Sequence, residues 1–127
     1  MSSGEFSIYR AIDIVRRRPG MYIGDPSPEK LLVYLWGYML AMDHAGLEDK
    51  SEPSLQGFHN WVAKRFGFYE STAGWANMIL AVTLGLDPRT IRWEGYDATA
   101  TRAQLIEATE RCFTLLDEYR GHASGGA

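Results

Sequence analysis

The stretch that decides the fold is Leu31-Leu-Val-Tyr-Leu-Trp-Gly-Tyr-Met-Leu-Ala-Met42, a long run without a charged residue. Wound into a helix, it places apolar side chains on every side, which is typical of a helix that is buried all round. Ser27-Pro28 supplies an N-cap and a first-turn proline, and Gly46 follows the run. We therefore predict a central helix from Ser27 to Ala45.

The rest of the chain is predicted to form helices that pack around this one. Apolar residues recur at helical spacing in four other places. Residues 87–100 are the least helical part, and Thr90–Trp93 is either a loop or one short strand. The fold class is therefore all-α, a compact bundle of about five helices around a buried central helix. The other four helices are Ser7–Arg17, Ser54–Phe66, one capped by Ser71-Thr72, and one that begins near Thr101 in a capping box with Gln104.

Size and composition favour one folded domain. A chain of 127 residues, 46% of them hydrophobic, can bury a core without metals or disulfides. We predict a single helical domain over residues 1–121 and a flexible, small-residue tail over 122–127. Cys112 has no partner for an internal disulfide and lies in an apolar helical pattern, which favours a buried thiol.

The sequence also predicts where the protein resides. The N-terminus lacks the basic-then-apolar pattern of a signal peptide. The run 31–42 is shorter than the roughly 20 apolar residues that a membrane span needs. We therefore expect a cytoplasmic protein that does not enter a membrane.

Charge is unevenly distributed along the chain. The net charge of -3 makes nucleic acid an unlikely partner, since binding phosphates needs a surplus of cations. Basic residues gather at Arg16–Arg18, and acidic residues gather between Asp43 and Glu52. Opposite charges on one small domain suit a protein partner. The alternative is an ordinary solvated surface.

No catalytic constellation is visible. His44, His59 and His122 do not stand at metal-ligand spacing with one another or with Cys112. The chain contains neither a Gly-x-Ser-x-Gly elbow nor a phosphate-binding Gly-x-x-x-x-Gly-Lys loop. We predict a protein that is not an enzyme, without catalytic residues, metal or cofactor.

The stretch Val15-Arg-Arg-Arg-Pro-Gly-Met-Tyr-Ile-Gly24 resembles the turn that opens the ATPase domain of the gyrase B and topoisomerase IV family. That resemblance implies a following helix with a glutamate that activates water and an asparagine that binds magnesium. Here the glutamate position falls on Gly37 or Tyr38, and the asparagine position on Ala41 or Met42. None of these side chains can serve.

Two interpretations of this stretch remain. In one it is a structural corner, in which Pro19-Gly20 makes the turn and Met21–Ile23 plug the core. In the other it is a contact surface with a basic rim. The candidate contact residues are Arg16, Arg17, Arg18 and Tyr22.

A second unusual stretch runs from Gly67 to Met78. Tyrosine and tryptophan are favoured anchors at protein interfaces, so this stretch is a candidate binding patch. Gly74, placed early in the predicted fourth helix, would permit close approach. The alternative is a helix-loop-helix corner with aromatic packing. The candidate binding residues are Tyr69, Glu70, Trp75 and Asn77.

A wider resemblance rests on Phe58-His-x-Trp61, on Gly67-Phe-Tyr69 through Gly74-Trp75-x-Asn77, and on Phe113 through Arg120. These stretches resemble a group of small bacterial proteins, some of which look like immunity partners of secreted toxins. The resemblance implies a non-enzymatic module that neutralises a cognate toxin by direct binding.

On this interpretation the acidic loop, with Glu48 and Asp49, faces a basic nuclease toxin. Two alternative functions remain. One is a regulator or mimic of type II topoisomerases that acts through Arg16–Gly24, and the other is an unrecognised nucleotide-handling enzyme. The sequence leaves the oligomeric state open.

Overall fold

The computed structural model describes residues 6–96 and 99–125, and the side chains as far as Gly121. Within these residues no β-strand forms, so Thr90–Trp93 is irregular and the all-α prediction is confirmed. The helices are α1 (Ile8–Arg17), α2 (Pro19–Ile23), α3 (Pro28–His44), α4 (Phe58–Phe66, preceded by a 3-10 turn at Leu55–Gly57), α5 (Trp75–Thr83) and α6 (Arg102–Gly125).

Most helix ends lie where the sequence predicts them. The Ser27 hydroxyl accepts the Lys30 amide at the start of α3. At the start of α6, Thr101 and Gln104 cap each other's backbone amides at 2.9 and 3.1 Å. The backbone of residues 122–125, within the predicted tail, continues α6. Residues 126–127 lie outside the described part of the chain.

The central buried helix is α5, whereas the sequence prediction assigned that place to α3. Helix α5 contacts α3, α4 and α6. Six of its nine residues are buried. In α3 only Pro28, Leu31 and Leu35 are buried. The bundle therefore has a central helix, as predicted, but the longer apolar run lies at its edge.

An aromatic cluster around Phe58 joins α4, α5 and α6. The Phe58 ring lies 5.2 Å from Trp75 and 5.4 Å from Tyr119, centroid to centroid. Trp61 completes the cluster at 6.0 Å from Phe58. The Tyr119 hydroxyl donates to the Ser54 carbonyl, and a Cβ on Gly57 would collide with that hydroxyl. The segment before α4 is thereby fixed against α6.

Ion pairs join α1 to α6. Arg16 Nη1 lies 2.8 Å from Asp117 Oδ1, and Arg120 Nη1 lies 3.0 Å from Asp13 Oδ1. Arg120 also lies over the ring of Tyr9 at 4.6 Å. All four charged side chains are partly exposed, so each pair contributes only about 0.2–1 kcal/mol. Their effect is to set the register between the two helices.

Two tryptophans test which helix is central. Trp75 is 5% exposed and Trp36 is 64% exposed. Trp75→Ala should lower the free energy of unfolding by about 3–5 kcal/mol, because it opens a cavity in the core. Trp36→Ala should change that free energy by no more than about 0.5 kcal/mol. Urea denaturation measures both, and equal losses would contradict the assignment.

Alkaline pH should destabilise the protein through Tyr9. Burial, followed by nearby Tyr119, raises the pKa of Tyr9 above its usual 10.0. The folded chain therefore keeps this proton while the unfolded chain releases it. The stabilisation is complete below about pH 10 and falls as the pH rises further.

The variant Tyr9→Phe isolates this contribution. At pH 7 it should lose about 1 kcal/mol, because the Tyr9 hydroxyl donates to the Pro53 carbonyl. Between about pH 10 and pH 11.5, its stability should fall less steeply than that of the parent. Parallel stability curves from thermal melts across this range would contradict the account.

Candidate protein-binding groove

A groove of about 1130 Å³ runs between α3, the segment that leads into α4, and the loop before α5. We call it the α3 groove. Its floor includes three buried core residues, Leu35, Leu55 and Trp75. Its wall on the α3 side is formed by Trp36 and Leu40. The groove is therefore a depression in the edge of the hydrophobic core.

The outer side of α3 carries large apolar side chains that no described residue covers. Val33 is 59% exposed, Trp36 64% and Leu40 70%. Positions three and four apart share one face of a helix, so these residues form one line, which we call the apolar stripe. Gly37 lies beside the stripe, with open space where a Cβ would be. Contiguous exposed apolar surface of this kind marks interaction sites.

Carboxylates border the groove at the C-terminal end of α3. Asp43 and Glu48 are exposed and line the groove. Neither forms an ion pair with any part of the chain that the structure describes. Among the described lining residues none is a lysine or an arginine. The negative end of the α3 dipole lies at the same place, so this end favours a cation.

Asp49, which the sequence grouped with Glu48, also lines the groove, but its carboxylate is bonded within the fold. Its carboxylate accepts the Ile8 amide at 3.4 Å and the Ser51 amide at 3.0 Å, and it also accepts the Ser51 hydroxyl. Ser7, at the N-cap of α1, makes no side-chain capping bond. Asp49 therefore caps α1 from a distant loop, where a negative charge is favoured.

The corner at Arg16–Gly24, which we call the basic corner, differs from the predicted structural form. Pro19 begins α2, and this short helix packs on α1 and α3. Met21 is 71% exposed and Tyr22 is also exposed, so these two do not plug the core as predicted, whereas Ile23 is partly buried and packs against the core. Tyr22 lies edge-on to Tyr34 at 6.3 Å. This contact seats α2 on the surface of α3.

The three arginines of this corner have different surroundings. Arg16 is bound to Asp117 and lies over the Phe113 ring at 5.6 Å. The hydrogen bond that Arg16 donates to the Asp117 carboxylate raises the pKa of Arg16 despite its partial burial. Arg17 and Arg18 are exposed. Only these two stand open to a partner as the sequence predicted for all three.

The predicted patch at Tyr69, Glu70, Trp75 and Asn77 is not one surface. Trp75 belongs to the core. The Glu70 carbonyl accepts the Trp93 indole N–H at 2.8 Å, and Asn77 donates to the Ala73 carbonyl. Tyr69 is 73% exposed, with the Arg92 guanidinium 4.7 Å above its ring.

This arrangement fastens the loop before α5 to residues 88–96, which corresponds to the structural alternative. Phe68 stacks on Trp93 at 6.0 Å, and the Tyr69 amide donates to the Pro88 carbonyl. Gly74 is the N-cap of α5 with φ +90°, so neither Ser71 nor Thr72 caps it. A positive φ of this kind favours glycine, which accounts for Gly74.

Sequence reasoning missed Trp36 and Leu40 as site residues, because it placed their helix in the core, whereas it counted Asp43 with the acidic loop that runs to Glu52. A signal was available in the ends of α3. Glu29 and Asp43 fall at helical spacing with the apolar stripe and lie on its face. A helix side that begins and ends in charged residues is more often a solvent side than a core side.

Reactive groups are scarce among the described residues. Burial raises the pKa of the Cys112 thiol, which keeps it protonated and unreactive. Within residues 6–96 and 99–121, no three His, Cys, Asp or Glu side chains converge to hold a metal. Among the described helices, none is long and apolar enough to cross a membrane. The groove itself offers apolar contact and unpaired carboxylates.

Comparison with known protein families, with curated proteins and with solved structures gave no match.

Glu48 and Asp49 are adjacent in the loop, and of the two carboxylates only that of Asp49 caps a helix. Asp49→Ala should lower the free energy of unfolding by about 1–2 kcal/mol, because α1 loses its cap. Glu48→Ala should change it by at most about 0.5 kcal/mol, since Glu48 is exposed and unbonded within the described chain. Thermal denaturation of both variants checks this, and a loss in Glu48→Ala that matched Asp49→Ala would refute the division.

Proposed function

We propose that this chain is a non-enzymatic protein-binding module that acts by occupying the surface of another protein. The observation that supports this most strongly is the apolar stripe, which stands exposed beside the α3 groove. When a partner covers exposed apolar side chains, each Å² of apolar surface removed from water contributes about 25 cal/mol of favourable free energy. Trp36 is the most suitable anchor, because tryptophan is enriched among residues that dominate binding energy.

The shape of the groove favours a macromolecule over a small ligand. Small-molecule sites enclose most of the ligand surface. The α3 groove has an open side, since Trp36 and Leu40 on its wall are each more than half exposed. Such a site suits a partner that brings a second wall of its own.

The charge of the groove supports a basic partner, and we propose a basic toxin, neutralised by occlusion of its active site. Asp43 and Glu48 would speed the encounter with such a protein and orient it. The apolar stripe would then supply the contact area that slows dissociation. This is the function of an immunity protein.

Co-expression with each of the proteins encoded beside the gene tests this function. The parent chain should protect cells from one of them and co-purify with it. Trp36→Ala should weaken that complex at least tenfold, the loss of about 1.4 kcal/mol or more that is typical of an anchor residue. The matched control is Tyr69→Ala, which removes an exposed aromatic ring outside the groove.

The two variants also define the contradicting results. Absence of a complex with every neighbouring toxin would refute the immunity function. Equal weakening by Trp36→Ala and Tyr69→Ala, with the fold intact in both, would remove the α3 groove as the binding site.

A further inference from the structure

We infer that the α3 groove takes a cationic amphipathic helix of its partner. This inference rests on the proposed function and names the element that the module would recognise. It draws on the backbone around the groove, on the size of the stripe and on the placement of the carboxylates.

The surface around the groove suits a helical occupant better than an extended one. The described part of the chain offers no strand edge to which an extended peptide could add. An extended peptide laid on the apolar stripe would leave its N–H and C=O groups without partners over an apolar surface. A helix satisfies these groups internally and presents only side chains.

The apolar stripe and the open space at Gly37 match the dimensions of a second helix. From Val33 to Leu40 the stripe rises about 10 Å along α3, or roughly two helical turns. Gly37 lies beside it, and the space over its Cα is open. Helices pack with their axes about 8–10 Å apart, and a glycine allows the closer end of that range. The groove next to the stripe can then receive the large apolar side chains of the second helix.

The two ends of α3 differ in charge. Asp43 and Glu48 lie at one end of the groove, where the α3 dipole is also negative. At the other end of α3 the exposed charges are mixed, since Glu29 is followed by Lys30. The occupant should therefore carry lysine or arginine toward the end that meets Asp43. This asymmetry gives the bound helix a direction.

A second copy of the chain fits this groove less well. Two copies joined stripe to stripe would bring more carboxylates together in a protein of net charge -3. The exposed basic face of α1, with Arg10 and Arg17, could approach the groove of another copy. It offers only one large exposed apolar side chain, Ile14, which is 43% exposed.

A model peptide tests the inference directly. The probe is an amidated peptide of about 14 residues, or about four helical turns, with leucine and lysine at helical spacing. Its control replaces every lysine with glutamate. Titration into the isotope-labelled full chain, followed by NMR, should shift the signals of Trp36, Leu40 and Asp43. The glutamate peptide should shift none of them.

Charge-matched variants show whether binding is specific to the groove. The double variant D43N/E48Q should bind the lysine peptide about three- to tenfold more weakly. The double variant E107Q/E110Q removes the same charge from the exposed face of α6 and should bind like the parent. Trp36→Ala should weaken the peptide at least about tenfold.

Four outcomes would overturn the inference. The first is equal weakening by the two charge variants, and the second is signal shifts confined to other surfaces. The third is a free chain that sediments as a dimer with its stripe protected, which would make a second copy the occupant. Toxin binding that ignores D43N/E48Q and Trp36→Ala would also refute the helix while leaving a binding module. Peptide binding without any toxin complex would refute only the immunity function.

Discussion

The Trp75 ring meets Phe58 at 5.2 Å with an interplanar angle of 67°, and this edge-on contact fixes α5 against α4. Edge-to-face pairs add about 0.5–1.5 kcal/mol to the stabilisation from burial. Because α5 is held beneath three neighbouring helices, α3 can contact the core along one side only. Its other side is left to solvent, and the α3 groove forms where Trp75 and Leu35 close the floor.

Charges within the chain are divided in a way that leaves the groove negative. Arg16 and Arg120 pair with Asp117 and Asp13, between α1 and α6. Between α4 and α6, Arg65 Nε lies 3.5 Å from Glu118 Oε2. These three arginines are paired in contacts between helices. Asp43 and Glu48 have no such partner among the described residues. The local field at the groove is therefore stronger than a net charge of -3 suggests.

The helices themselves could be predicted from the sequence, because caps and glycines act locally. Ser27, the Thr101–Gln104 capping box and Gly67 mark real helix ends. What could not be predicted was which of two uncharged runs would be central. Residues 31–42 and 75–83 both lack a charge, and packing between distant segments decides the matter.

The candidate site shows the same limit. Glu48 was found from the charge pattern of its loop, and it lies in the groove. Its neighbour Asp49 is also a carboxylate. It caps the N-terminus of α1, which is remote in sequence, by accepting the Ile8 amide. Trp75 is a predicted anchor because tryptophan is favoured at interfaces. Tryptophan is also common in cores, and here Trp75 lies in the core. Composition cannot separate these roles, since each depends on what the tertiary fold places opposite the side chain.

Helix α3 presents Trp36 to solvent, while α5 keeps Trp75 in the core. Fluorine NMR of the protein labelled with 5-fluorotryptophan tests it most directly, with signals assigned from single Trp→Phe variants. In the free protein, the account predicts a full solvent isotope shift between H₂O and D₂O for Trp36 and none for Trp75. A Trp36 signal as insensitive to solvent as that of Trp75, in a chain that sediments as a monomer, would contradict it.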